Sequence, residues 1–407
     1  MKSNIRELIS FHNKGVSKTK IFFLSVIIAQ FANAQDVWTP IANCPPSMGR
    51  TGEISFSTGS KGYVGFGLEI CPLSCIFKND LWEYDPSNDS WTQKANCPGA
   101  PREWAVAFGI ANKGYVCSGR DNFTTFLSDL WEYDPLLNSW AQKTSLPAGS
   151  RYRAVGFSIG NKGYVGTGND AVPSNFQDFW EYDPVSDTWT QKTNFAGGAR
   201  MLATGFGIGN KGYVGMGLNG GTDFWEYDPA SDTWIQKANF PSPNYPYGAW
   251  FSIGNKGYFG TGSTGNTGSV DFWEYDPIPD TWIQRASFPQ QRRLCIGFSI
   301  GNAGYLGLGE WWGTYQPSLW KYSPMVTGMP NEETSNSVSV YPNPTSGKFT
   351  IEAKGELEIY NVIGEKMLSR KSISDKTEID LSNHSKGIYF IKIIADDKTY
   401  SQKIIIQ

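Results

Sequence analysis

The sequence predicts an all-β protein: a closed ring of six four-stranded sheets, followed by a small C-terminal β-sandwich. Three observations carry this. A Gly-Tyr pair recurs at Gly62-Tyr63, Gly114-Tyr115, Gly163-Tyr164, Gly212-Tyr213, Gly257-Tyr258 and Gly304-Tyr305. A Trp-x-Tyr core recurs from Trp82, Trp131, Trp180, Trp225, Trp273 and Trp320. The step is 45 to 52 residues, the period of glycine- and aromatic-rich four-stranded units repeated in a ring or stack.

Residues 1–34 read as a targeting segment. Lys14, Lys18 and Lys20 precede an apolar run at 21–31, and Ala32-Asn33-Ala34 is a small-x-small cleavage site. The run is too short for a stable membrane span, so the mature chain is expected to start at Gln35 with no transmembrane segment.

Residues 35–324 hold the ring. In the third unit, 151–159 reads as a first strand, Gly160-Asn161-Lys162-Gly163 as a turn and Tyr164-Val165-Gly166-Thr167-Gly168 as a second strand. Asp178-Phe179-Trp180-Glu181-Tyr182 is a third strand, Asp183-Pro184 opens a turn, and Thr188-Trp189-Thr190-Gln191-Lys192 is a fourth strand. β-Branched and aromatic residues fill the strands, and Gly, Pro, Asn and Asp fill the turns. The sixth unit lacks a fourth-strand Trp after Pro324. Val37-Trp38-Thr39-Pro40 near the start of the chain copies that strand, so the N-terminal strand is expected to complete the last sheet and close the ring.

An Arg before the first strand, Gly-Tyr on the second, Trp-x-Tyr-Asp-Pro and a fourth-strand Trp together resemble the kelch repeat. The resemblance implies a six-bladed kelch β-propeller. One feature departs from the family: a Gly-x-Gly element, such as Gly166-Thr167-Gly168, stands where kelch repeats carry adjacent glycines. Kelch propellers include the copper enzyme galactose oxidase, which needs histidine ligands. This chain has only His12 and His384, both outside the ring, so that chemistry and any imidazole-dependent catalysis or metal binding in the ring are excluded.

Residues 325–337 read as a linker. Residues 338–407 then carry short strands of a β-sandwich. Tyr341-Pro342-Asn343-Pro344, Asn361-Val362-Ile363-Gly364, Lys386-Gly387-Ile388-Tyr389 and Lys403-Ile404-Ile405-Ile406 resemble, in order, the C-terminal sorting domain of type IX secretion cargo. That resemblance implies a Gram-negative source, handling by the type IX machinery, export to the cell surface or medium, and removal of this domain there. An ordinary adhesive sandwich is the alternative reading.

Charge and cysteine usage narrow the partners. Lys+Arg number 35 against 38 Asp+Glu, and a net charge of -3 offers nothing to neutralise a nucleic acid. The basic residues Lys94, Lys143, Lys192, Lys237 and Arg285 fall on outer edge strands, where charge discourages sheet-to-sheet pairing. The Asp-Pro pairs read as turn chemistry rather than calcium ligands. Export permits disulfides. Cys44, Cys71, Cys75 and Cys97 are candidates expected in one neighbourhood, whereas Cys117 and Cys295 read as buried thiols. No cofactor is implied.

The candidate binding residues come from register. Twelve positions before each repeated glycine stand Arg50, Arg102, Arg151, Arg200, Tyr245 and Arg292. They are expected to ring one mouth of the channel, beneath the variable loops 68–80, 121–128, 169–177, 218–222, 263–270 and 310–318. Arginines there suit carboxylates, sulfates or acidic peptides, and Trp311, Trp312 and Tyr315 suit stacking on sugars. The alternative is that these arginines bond loop carbonyls as part of the repeat template. Two function classes follow: recognition of an extracellular anionic glycan or protein, or a sugar-active enzyme of the sialic acid mutarotase type using Glu53, Glu103 or Glu310. A purely structural surface protein is a third.

Overall fold

The computed structural model describes residues 36–45, 50–71, 74–171, 174–218, 220–242, 246–263, 268–324, 339–361, 366–374, 376–395 and 398–407. The targeting segment, the 325–337 linker and Tyr245 lie outside the described residues.

Six four-stranded antiparallel sheets form the propeller. Blade three is Val155–Ile159, Lys162–Gly166, Phe179–Asp183 and Thr188–Lys192, paired in that order. The first strand starts four residues later than the sequence pattern implies, because Arg153 is left-handed (φ 55°) and breaks the strand geometry. The last blade is completed by Val37–Pro40, which pairs with Leu319–Ser323 so that Trp38 lies opposite Tyr322.

Neighbouring blades are locked by a repeated aromatic seat. A Cβ on Gly163 would fall inside the ring of Phe108 from the preceding blade. The same holds for Gly114 with Phe56, Gly212 with Phe157, Gly257 with Phe206 and Gly304 with Phe251. Gly62 with Phe298 joins blade six to blade one and completes the circuit. Glycine recurs before each tyrosine because no other residue leaves room for that phenyl ring. The tyrosines continue the seam. Tyr63–Tyr133, Tyr115–Tyr182, Tyr164–Tyr227, Tyr213–Tyr275, Tyr258–Tyr322 and Tyr84–Tyr305 meet across the six boundaries with centroids 5.4 to 5.8 Å apart.

A polar clamp runs round the outside. Fourth-strand Trp91, Trp140, Trp189, Trp234 and Trp282 each donate an indole N–H to a carbonyl of the chain leaving the previous blade. Trp38 does the same to the Ala286 carbonyl at 2.9 Å. Closure therefore repeats the bond used at every other boundary. Asp85, Asp134, Asp183, Asp228 and Asp276 accept backbone N–H groups two residues on, which is the turn role read from the Asp-Pro pairs. On the blade edges Lys94, Lys192, Lys237 and Arg285 pair with glutamates of the adjacent strand.

The C-terminal unit is a two-sheet structure of three and four strands around one core containing Phe349, Ile359, Ile391 and Ile404. Its Lys366–Ile373 strand is mostly exposed and lacks the apolar alternation that reveals the other strands. Asn343 of the Tyr-Pro-Asn-Pro motif accepts from Ile405 N–H and donates to the Lys403 carbonyl, so the motif holds the final strand in register.

Substituting Gly163→Ala is expected to cost about 1–3 kcal/mol through overpacking, read by chemical denaturation. Adding Phe108→Leu should recover part of that loss. Strict additivity of the two changes would contradict the aromatic seat.

Candidate functional site at the propeller mouth

The repeated arginines do not line the mouth. Arg102, Arg151 and Arg292 are fully buried, and Arg200 and Arg50 nearly so. Arg102 donates from both terminal nitrogens to Asp129 at 2.5 and 2.8 Å and to the Ser118 carbonyl at 3.0 Å. Arg50 with Asp80 and Phe66, Arg151 with Asp178 and Thr167, and Arg200 with Asp223 and Met216 repeat the arrangement. The same aspartates accept the indole N–H of Trp82, Trp131, Trp180 and Trp225. The expectation of an anion-binding arginine ring is therefore corrected. The guanidiniums of Arg50, Arg102, Arg151 and Arg200 already hold carboxylates, and each pins the chain leaving its second strand to the start of its third.

The mouth is built from residues two positions further on. Gly52, Trp104, Arg153, Leu202, Tyr247 and Leu294 occupy this place in the six blades, all left-handed with φ between 54° and 68°. Backbone bonds link them around the axis. Trp104 N–H donates to Gly52, Arg153 to Trp104, Leu202 to Arg153, and Leu294 to Tyr247. Five non-glycine residues held left-handed mark a constrained rim. A sequence signal existed: this position and the one before it vary from blade to blade, while the arginine two places earlier is nearly constant.

Trp104 and Tyr247 project from opposite blades and meet with centroids 6.1 Å apart. Above them lies a cavity of about 300 Å³ lined by Glu103, Arg120, Arg153, Arg293, Glu310 and Tyr315, among others. Glu103 accepts from Arg120 Nε at 2.8 Å, and Glu310 accepts from Arg293 at 2.9 Å. Burial raises the Glu103 carboxyl above its usual range, against the opposing pull of Arg120. Arg153 differs from its neighbours. It stacks on Trp104 at 5.1 Å and Tyr152 at 5.0 Å and makes no ion pair among the described residues. Trp311 and Trp312 stand 48% and 64% exposed on the blade-six hairpin beside the cavity.

Beneath the aromatic pair the channel encloses a cavity of about 130 Å³ with Glu53 in its wall. Glu53 replaces a small residue, since the other blades have Ala105, Ala154, Ala203, Gly248 and Cys295 here. Its Oε2 is buried without a hydrogen-bond partner among the described residues. Burial, reinforced by Asp80, pushes its carboxyl up to about 7, outweighing its own backbone N–H and Arg50.

The disulfide expectation is also corrected. Cys44, Cys75 and Cys97 are free thiols, and the Cys71 side chain lies outside the described ones. Cys44 and Cys97 are buried in different inter-blade clusters. They fill the place taken in later blades by buried Leu146, Phe195, Phe240 and Phe288, so their repeat position reflects apolar packing. Burial pushes the Cys97 thiol up to about 11.

Glu53 makes a pH-dependent contribution to stability. Its folded pKa lies above the unfolded value, so its contribution is most favourable below about pH 4.5 and declines as pH rises towards 7. Glu53→Gln should remove this decline and stabilise the protein at pH 8 by up to roughly 3 kcal/mol, with no gain at pH 4. Denaturant midpoints across that range check it, and parallel profiles for the two proteins would contradict it.

Comparison with known proteins bears on both parts of the chain. A solved structure described as that of YjhT aligns with a TM-score of 0.56 at 18% identity, over 67% of this chain and 95% of that one. At that identity the likeness concerns the fold. A Nonlabens ulvanivorans protein named ulvan lyase NLR42 is 36% identical over 76 residues, which is 17% of this chain and 14% of that protein. Residues 339–407 match the secretion system C-terminal sorting domain. That domain marks the chain as a secreted or cell-surface protein handled by the type IX system.

Proposed function

We propose that this protein is an exported carbohydrate-binding propeller whose mouth recognises an acidic sugar of an extracellular glycan. The observation that carries this is Arg153, a guanidinium that makes no ion pair among the described residues, its charge reaching Glu103 only at longer range, stacked between two aromatic rings at the cavity's edge. The cavity holds three guanidiniums, Arg120, Arg153 and Arg293, against two carboxylates, Glu103 and Glu310. One positive charge is left to meet a carboxylate or sulfate. Trp104, Tyr247 and Tyr315 supply aromatic surface for a sugar ring, and exposed Trp311 and Trp312 extend it along the rim. The short match to an ulvan lyase and the sorting domain fit a carbohydrate setting outside the cell.

The enzyme reading has less support. Glu103 and Glu310 are each engaged by an arginine, and Glu53 sits below the Trp104–Tyr247 contact in the channel wall. The units themselves read best as kelch repeats. Their departure from adjacent glycines is conformational in kind: Thr167 and Gly168 are both left-handed, at 58° and 90°, so a threonine occupies a backbone state that glycine adopts more readily.

Calorimetric titration of the full chain with an acidic oligosaccharide, using oligogalacturonate as the probe, tests the reading. Arg153→Gln should weaken binding about 10- to 100-fold, the loss of one charge-assisted contact, with little change in melting temperature. Arg151→Gln should do the reverse, because it strands the Asp178 carboxylate. Wild-type affinity in Arg153→Gln would overturn the assignment.

A further inference from the structure

Blade six breaks the repeat at one cluster of atoms. In blades one to four an aspartate joins the buried arginine to the third-strand indole, as Asp129 joins Arg102 and Trp131. Blade six keeps Arg292 and Trp320, but Ser318 stands in the aspartate's place. Arg292 is 0% exposed. Its Nη1 donates to the Leu308 carbonyl at 2.8 Å, and its Nη2 donates to Ser318 Oγ at 2.7 Å and to Gln290 Oε1. Every one of these acceptors is neutral. Trp320 Nε1, the counterpart of the indoles that reach an aspartate in blades one to four, is buried without a partner among the described residues; Arg292 Nε is unmet too, as it is on Arg50 and Arg151, whose blades keep the aspartate. Burial lowers the Arg292 pKa, opposed among the described residues by the Cys295 thiol, itself shifted towards the neutral form by burial. A buried cation without a counter-charge is costly, as are unmet buried donors.

We propose that blade six binds a small monovalent anion, chloride, at the position the other blades give to the aspartate carboxylate. The donors are the Arg292 guanidinium, the Trp320 indole N–H and the Ser318 hydroxyl, whose proton is free because its oxygen accepts from Arg292. The first two are the groups that the aspartate joins in the complete blades. A spherical monoanion restores the missing unit of charge and accepts from donors in several directions at once. The site bears on ring closure. Trp320 lies on the strand that receives the N-terminal strand, directly opposite Pro40, so the anion would tie the closing blade's entry loop to its closure strand.

The test is thermal melting of the full-length protein in matched concentrations of sodium chloride and sodium gluconate. Chloride should raise the melting temperature by about 2–4 °C over gluconate, and bromide should act alike. Ser318→Asp supplies the carboxylate internally, so its melts in the two salts should coincide. Trp320→Phe removes one donor while keeping an aromatic ring, and should shrink the chloride effect even if Ser318→Asp fails to fold. Absence of a chloride effect in the wild type, or an undiminished effect in either folded variant, would overturn the proposal.

Discussion

The structure depends on a phenyl ring from each blade lying against a glycine in the next. The blades have no private cores. Each of the six propeller core clusters mixes residues of two adjacent blades, as Val106 and Phe108 pack with Val165 and Tyr182. The aromatic seat sets how closely consecutive sheets approach, and the tyrosine pairs set their stagger. Because the seat recurs six times, including Phe298 against Gly62, the ring has no weakest boundary defined by a different kind of contact. The N-terminal strand gives blade six the same outer clamp that the other blades make within one continuous segment.

On this frame the arginines divide into two populations. Arg50, Arg102, Arg151 and Arg200 face aspartates in the blade walls and hold the loops that carry the mouth. Arg153, two residues beyond Arg151, stands on a left-handed backbone at the rim, stacks on an aromatic ring and makes no ion pair among the described residues. On the proposed reading, recognition and support fall to neighbours in sequence. The buried ion pairs and the axial backbone bonds fix the rim before any ligand arrives, so little ordering is required of Arg153, Trp104 and Tyr247 on binding.

The repeat was fully legible in the sequence because its spacing is imposed by backbone geometry and by the glycine seats. Closure was legible because a fourth-strand tryptophan was missing at one end and present at the other. The site was misplaced for a physical reason. Register shows that Arg50 and its equivalents share a place near the channel, but not that Asp80, Asp129, Asp178 and Asp223 draw them into the wall. The residues that do face the mouth, Trp104, Arg153 and Tyr247, share no residue type, so periodicity alone passes over them. Cys44 and Cys97 misled in the opposite way, since their matched positions signalled a hydrophobic slot shared with Leu146 and Phe195. The Lys366–Ile373 strand stayed faint because most of its side chains are exposed.

The division between wall and rim arginines is tested most directly by arginine side-chain NMR during titration with an acidic oligosaccharide. The account predicts that the Arg153 Nε–H resonance moves with ligand. Those of Arg102, Arg151 and Arg200 should stay in place and exchange slowly with solvent throughout, as buried ion-paired groups do. Ligand-dependent shifts across Arg102, Arg151 and Arg200 with Arg153 unmoved would contradict it and return the binding site to the arginine ring.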